Sequence, residues 1–162
     1  MSTAGKIWAG TARLAAPGLR AMLRVRLARG KELPGRLAER RGIDLSPRPP
    51  GRLLWLHAAS VGETTSILPV LPPLLAEAPD LTVLFTTGTV TAAKLLAQRL
   101  TPDQQPRVLH RFVPLDVPAW VARFLDHWRP DAAAFLESEL WPNLLAASHA
   151  RIGFCLRTNG FN

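Results

Sequence analysis

A chain of 162 residues with 48% hydrophobic content is expected to bury one ordinary core, with no room for a second domain. Its one cysteine, Cys155, excludes an intrachain disulfide, a CxxC metal pair and a four-cysteine zinc site. The net charge of +8 invites a nucleic-acid reading, but residues 1–52 carry 12 basic against 3 acidic side chains and residues 53–162 carry 8 against 9, so the excess sits in an amino-terminal arm able to meet the phosphates of anionic lipid, of a phosphorylated glycolipid or of RNA.

The first 28 residues are rich in Leu and Ala but broken by Arg13, Arg20, Arg24 and Arg26. A membrane-spanning helix wants ~20 mostly apolar residues, and these arginines interrupt any such run. Wound at about 100° per residue, Arg13, Arg20 and Arg24 fall on one side, with Trp8, Leu19 and Met22 roughly opposite, the pattern of a helix lying in a membrane interface. Pro17 is expected to kink it. A helix packed on its own domain, or a partly disordered tail, fits the same residues. No clean apolar core followed by a small-residue cleavage site is present, which disfavours a secretory signal.

Residues 42–52, GIDLSPRPPGR, cluster Pro, Gly, Ser and Arg and mark a linker. The basic, partly helical arm and linker then occupy 1–51 and the domain 52–162. From Arg52 onward, RLLWLHAA, LTVLFTTG, VLHRFV, DAAAFLE and RIGFCL are short apolar runs that predict strands buried on both faces, Cys155 lying in the last. ETTSILPVLPPLLAEA, TVTAAKLLAQRL, VPAWVARFLDHW and WPNLLAASHA predict helices between them, the first interrupted by Pro69, Pro72 and Pro73. The strict alternation predicts a Rossmann-like α/β fold, a parallel sheet with helices on both faces and right-handed crossovers. No GxxxxGK[ST] or GxGxxG is present, which disfavours ATP and NAD binding by those routes. Nor do His110, His127 and His149 have metal-ligand spacing.

Ligands of open parallel sheets sit beyond the carboxyl ends of the strands, where strand order reverses. The first strand ends in HAASVGE, placing His57, Ser60, Gly62 and Glu63 at that edge, and the fourth ends in LESELWPN, placing Glu137, Ser138 and Glu139 there. With the order 3-2-1-4-5, both acidic loops face one crevice. Gathered carboxylates repel one another, which makes one a better general base near neutral pH, able to take a proton from an attacking sugar hydroxyl. A second can stabilise the charge of an oxocarbenium-like transition state. The plainer readings are that Glu63 caps a helix and Glu139 starts the next one. His57 at the end of an apolar strand reads as a hydrogen-bonded structural residue, and Trp141 is the tryptophan placed to line the crevice.

WLHAASVGE at 55–63, LFTTGTVT at 84–91, FVPLDVP at 112–118 and LESELWPN at 136–143 together resemble the 3-deoxy-D-manno-octulosonic acid (Kdo) transferases of lipopolysaccharide synthesis, in register over roughly residues 30–156. GRLAERRGI at 35–43 resembles the basic stretch that follows the membrane anchor in that family. The resemblance implies the amino-terminal domain of a two-domain GT-B glycosyltransferase, at the cytoplasmic face of the bacterial inner membrane. It implies a lipid A precursor held here, CMP-Kdo held by a second domain, and an anionic membrane surface as a further partner, with no nucleic acid. The transfer it implies is inverting, with neither metal nor other cofactor, Glu63 as proton acceptor and Glu137 as transition-state stabiliser. Ser60, Gly62 and Glu139 would shape the acceptor site, Gly62 by letting backbone approach the ligand.

The sequence departs from the family pattern in its arginine-rich start, in its LRTNGFN tail and in ending at Asn162 without a donor-binding half. The expectation is a transferase by ancestry whose chain is inactive alone. The alternative from another class is a non-catalytic module whose basic arm binds anionic lipid or RNA, with affinity that falls steeply with salt and ignores Glu63.

Overall fold

The computed structural model describes residues 3–136 and 141–158. Five strands, β1 (Arg52–Ala58), β2 (Leu81–Thr87), β3 (Val108–Phe112), β4 (Ala132–Leu136) and β5 (Phe154–Thr158), form one parallel sheet in the order β3-β2-β1-β4-β5. The expected α/β fold and strand order are both present. The order reverses between β1 and β4, which places the switch point beside Ala58.

Helices cover both faces, and the period-two alternation of the strands sorts the side chains between them. Leu53, Trp55, Leu84, Ala133 and Phe135 point to the face covered by α5 (Pro118–Trp128) and α6 (Pro142–Arg151). Leu56, Ala58, Val83 and Phe85 point to the other, under α3 (Leu71–Glu77) and α4 (Val90–Arg99). Trp55 centres the first core: its ring meets those of Phe124 and Phe135 at 4.9 Å, and its indole N–H donates to Thr86 Oγ1 at 2.8 Å. Burying the whole ring while satisfying its one polar atom keeps the full hydrophobic gain of a tryptophan.

Local chemistry sets the helix ends. The first predicted helix is three pieces, α2 (Val61–Ile67), a 3-10 turn (Leu68–Val70) and α3, because Pro69, Pro72 and Pro73 lack the N–H that a continuous ladder needs. Thr89 caps α4 by accepting from Ala92 N, and Pro118 and Pro142 open α5 and α6, where a missing N–H costs nothing.

Ahead of the sheet, α1 (Thr3–Ala28) runs as one helix through Pro17. Ala9 and Leu23 are buried, and the helix packs on α5 and α6. Its Trp8 indole N–H donates to Asp116 Oδ2 at 2.7 Å. No helix among the described residues is long and apolar enough to cross a membrane. The stretch 29–51, read from sequence as the end of the arm and the linker, is knitted to the carboxyl ends of β2 and β3. Glu39 accepts from Phe112 N at 2.7 Å, Leu115 N donates to Arg40 O at 2.9 Å, and Arg111 pairs with Asp44. Gly42 has φ +67°, and a Cβ there would stand 2.1 Å from Trp120 O, so only glycine allows this closeness.

Candidate functional site

Because all strands are parallel, their carboxyl ends share one edge, and the loops leaving it meet in a crevice of about 380 Å³. β1 supplies His57, the turn after it Ala59 and Ser60, the turn after β2 Gly88 and Thr89, and the loop after β3 Val113, Pro114 and Leu115. Trp141, at the start of α6, closes the side toward β4, and Met22 and Arg26 of α1 lean over the top.

The SVGE segment forms a capping box. Ser60 Oγ accepts from Glu63 N at 3.3 Å, while Glu63 Oε2 accepts from Ala59 N at 2.6 Å and Ser60 N at 3.3 Å. A carboxylate in the first turn also complements the helix dipole. Glu63 therefore caps α2, and its carboxylate holds the backbone of Ala59 and Ser60, which line the crevice, while Glu63 is not itself among the lining residues. Gly62 is exposed in the first turn of α2, and a Cβ there would meet only Ser60 Oγ at 3.9 Å. Within the chain it is Gly88 that makes a close approach here: a Cβ there would stand 2.7 Å from Ala59 O, which accepts from Gly88 N at 3.1 Å. Glu137 and Glu139 lie outside the described residues, so the pairing of the two acidic loops has no geometry to report.

His57 is wholly buried, as its place on an apolar strand predicts, yet only one of its nitrogens has a partner. Nδ1 lies 3.2 Å from Thr86 O and 2.9 Å from Thr86 Oγ1, whereas Nε2 has none. Burial chiefly, with some help from Arg40, lowers the imidazole to about 4, against the opposing pull of the Thr86 hydrogen bond and the Glu63 charge. The ring is therefore neutral near pH 7. With the proton on Nδ1, donated to the Thr86 carbonyl, Nε2 presents a lone pair; with the Thr86 hydroxyl donating to Nδ1, Nε2 carries the proton instead. Trp141 Nε1, also at this crevice, is buried without a partner.

Sequence reasoning missed the charged floor. Glu32 and Arg40 are 3% and 2% exposed, and Glu32 accepts from Arg26 Nε at 2.8 Å and from Arg40 Nε at 3.0 Å. Arg40 also donates to Gly88 O at 2.7 Å and Val113 O at 3.3 Å and stacks 4.5 Å over the Phe112 ring. Burial pulls its guanidinium below the ordinary value, opposed by Glu32. Two guanidinium groups share one carboxylate, so the floor leans positive. A charged stretch rich in Arg and Glu reads as a solvated arm, and nothing local in its sequence announces that it folds under the crevice. Among the described residues no group of three His, Cys, Asp or Glu side chains could hold a metal ion.

Comparison with known proteins fits this architecture. Residues 35–160 match the family model described as 3-deoxy-D-manno-octulosonic-acid transferase (kdotransferase). The chain is 44% identical over 126 residues to a probable mitochondrial 3-deoxy-D-manno-octulosonic acid transferase of Arabidopsis thaliana, covering 78% of this chain and 27% of that protein. It is 38% identical over 103 residues to a 3-deoxy-D-manno-octulosonic acid transferase of Rickettsia typhi, covering 62% and 21%. Against one from Haemophilus influenzae it is 37% identical over 111 residues, covering 68% and 25%. The chain thus spans about a quarter of the length of the relatives it matches.

Proposed function

This chain belongs to the 3-deoxy-D-manno-octulosonic acid transferase family, and from that premise we propose that it is the acceptor-binding part of an inverting GT-B glycosyltransferase that moves Kdo from CMP-Kdo to a lipid A precursor. The observation that carries this reading is a crevice at the β1/β4 switch point, the position where open α/β sheets bind ligands, whose Ala59–Ser60 wall is held by the Glu63 carboxylate. An acceptor hydroxyl attacks the anomeric carbon of the Kdo unit, the bond from that carbon to the phosphate oxygen breaks, CMP leaves with the bonding electrons, and the hydroxyl proton passes to the Glu63 carboxylate. Glu137, matched to the family motif, would offset the positive charge that develops on the sugar ring. Ser60, Gly62 and Glu139 would border the acceptor. No metal or organic cofactor has a part in this sequence of steps, and CMP-Kdo would be held by a second, carboxy-terminal domain.

The same reading puts the chain on the cytoplasmic face of the bacterial inner membrane. Lys6, Arg13, Arg20 and Arg24 form an exposed basic stripe along α1, and Ile7, Leu14 and Val25 form an exposed apolar stripe beside it. A helix with both stripes outward suits an anionic membrane surface. Trp8 and Met22, on the side opposite the arginines, are partly exposed as well and border, with Leu19, a groove against the domain.

The test is Kdo transfer from CMP-Kdo to a tetra-acylated precursor by this chain, alone and supplied with the carboxy-terminal half of a Kdo transferase. Transfer is expected only in the second case, and Glu63→Gln is expected to slow it by about 10²- to 10⁴-fold, the usual contribution of a general base. An undiminished rate in Glu63→Gln would remove Glu63 from the reaction.

A further inference from the structure

A second cavity adjoins the crevice at its apolar rim. Met22, Leu115 and Trp141 also wall this cavity, of about 360 Å³, which runs between α1 and the domain past Leu19, Ala15 and Ala12 toward Trp8. From Met22 to Trp8 the helix rises about 21 Å, more than the ~15 Å hydrocarbon depth of one bilayer leaflet. At the far end, the hydrogen bond from Trp8 to Asp116 pins α1 to the domain and keeps the groove from collapsing or opening. Along it the wall is almost wholly apolar, whereas the crevice it adjoins is lined by His57, Ser60, Arg26, Glu32 and Arg40. A polar chamber adjoining an apolar slot, with Met22, Leu115 and Trp141 common to both, suits a ligand with a sugar head and a hydrocarbon tail.

Two buried polar atoms belong to residues that line the crevice, and one of these residues, Trp141, also walls the groove. Among the described residues neither His57 Nε2 nor Trp141 Nε1 has a hydrogen-bond partner, the indole N–H being a donor and the imidazole nitrogen either a donor or an acceptor according to its tautomer. Native structures rarely leave such atoms unpaired, and a hydroxyl, which donates and accepts at once, satisfies both. We propose that crevice and groove form one amphiphile site, in which a sugar hydroxyl of a glycolipid meets His57 Nε2 and Trp141 Nε1 while one of its alkyl chains lies beneath α1. The proposal rests on the glycolipid-acceptor reading above and adds which residues take the head and which take the tail. The neutral His57 imidazole and the surplus guanidinium on the crevice floor suit a head carrying hydroxyls and an anionic group.

Alkyl β-D-glucosides with octyl, decyl and dodecyl tails, titrated below their micelle concentrations, test this without any donor substrate. Each added pair of methylenes is expected to tighten binding about tenfold, the gain for burying them. Ala12→Phe and Ala15→Phe, which fill the slot, are expected to cut that dependence below about twofold. Leu14→Ser, on the exposed side of α1, is expected to leave it intact, which separates the groove from adsorption on the outer stripe. His57→Gln is expected to weaken all three probes by one common factor of about ten. Tail-independent binding, tail dependence that survives both filled variants, or no binding of any probe overturns the proposal. None of these outcomes bears on the transfer assay of Glu63, so the family activity stands or falls separately.

Discussion

Asn143 donates its side-chain amide to the backbone carbonyl of Asp116 at 2.8 Å, and its own backbone N–H reaches Asp116 Oδ2 at 3.2 Å. Asp116 Oδ1 accepts from Leu144 N at 2.8 Å, so one buried carboxylate takes two first-turn N–H groups of α6 as well as the Trp8 indole. The PLD segment after β3 and the WPN segment after β4, which resemble the family's motifs, are thus two halves of one joint that fixes Trp141 and α1 about the crevice. Asp116→Ala leaves these donors buried and unpaired, and is expected to cost about 2–4 kcal/mol in urea unfolding. A loss under about 0.5 kcal/mol would mean that the joint is not formed.

The crevice floor makes a comparable demand. Glu32→Gln removes the charge that compensates Arg40, whose guanidinium is 2% exposed as a residue. Breaking a buried pair in this way is expected to destabilise by about 3–5 kcal/mol, whereas Glu32→Gln combined with Arg40→Met recovers part of the loss. Denaturant midpoints of the single and double variants decide it, and additive losses would contradict the coupling.

Gly88→Ala places a methyl against Ala59 O, the residue whose N–H feeds the Glu63 cap. Backbone must shift, so destabilisation by about 1–3 kcal/mol is expected, together with loosened exchange protection at Ala59 and Ser60. Gly62→Ala, with open space at its Cβ, is expected to leave stability unchanged or raise it slightly. Equal effects of the two substitutions would refute the assigned close approach.

Acid should unfold the domain partly through its histidines. Burial chiefly, helped by Arg40 and opposed by Thr86 and Glu63, holds His57 at about 4, and burial with Arg36, Arg111 and Arg40 holds His110 at about 3. Both lie below the 6.5 of a free imidazole, so between pH 6.5 and these values the unfolded chain binds protons that the folded chain refuses. Their contribution is full above about pH 6.5 and is lost as pH falls toward 4 and then 3. His57→Asn, which keeps a donor for Thr86 O, is expected to flatten the stability slope between pH 6 and 4.5 by up to about 1.4 kcal/mol per pH unit. Parallel slopes for the two proteins would contradict the neutral buried ring.

Much of the architecture is written locally. The apolar runs beginning at Arg52, Leu81 and Val108 are strands within a residue or two of their expected ends, and the prolines at 69, 72 and 73 divide a helix where ring chemistry requires. The site is less legible. Ser60 and Glu63 announce a capping box because its two hydrogen bonds join residues three apart. The Arg40–Glu32 pair, the Asp116 joint and the seat of α1 depend on contacts between distant segments, and charge-rich sequence looks alike whether solvated or folded beneath a crevice. His57 was legible as buried, but its unpartnered nitrogen is a matter of ring orientation, on which sequence is silent.

The most direct test is a titration of purified chain with a tetra-acylated lipid A precursor at rising salt, with RNA and a neutral lipid alongside. Saturable precursor binding that persists from about 50 to 200 mM salt, exceeds binding of both controls and changes in Glu63→Ala is the predicted result. Phosphate-driven binding to a basic arm instead loses orders of magnitude over that range. Equal, salt-sensitive binding of RNA and precursor, indifferent to Glu63, would contradict an acceptor site in this domain.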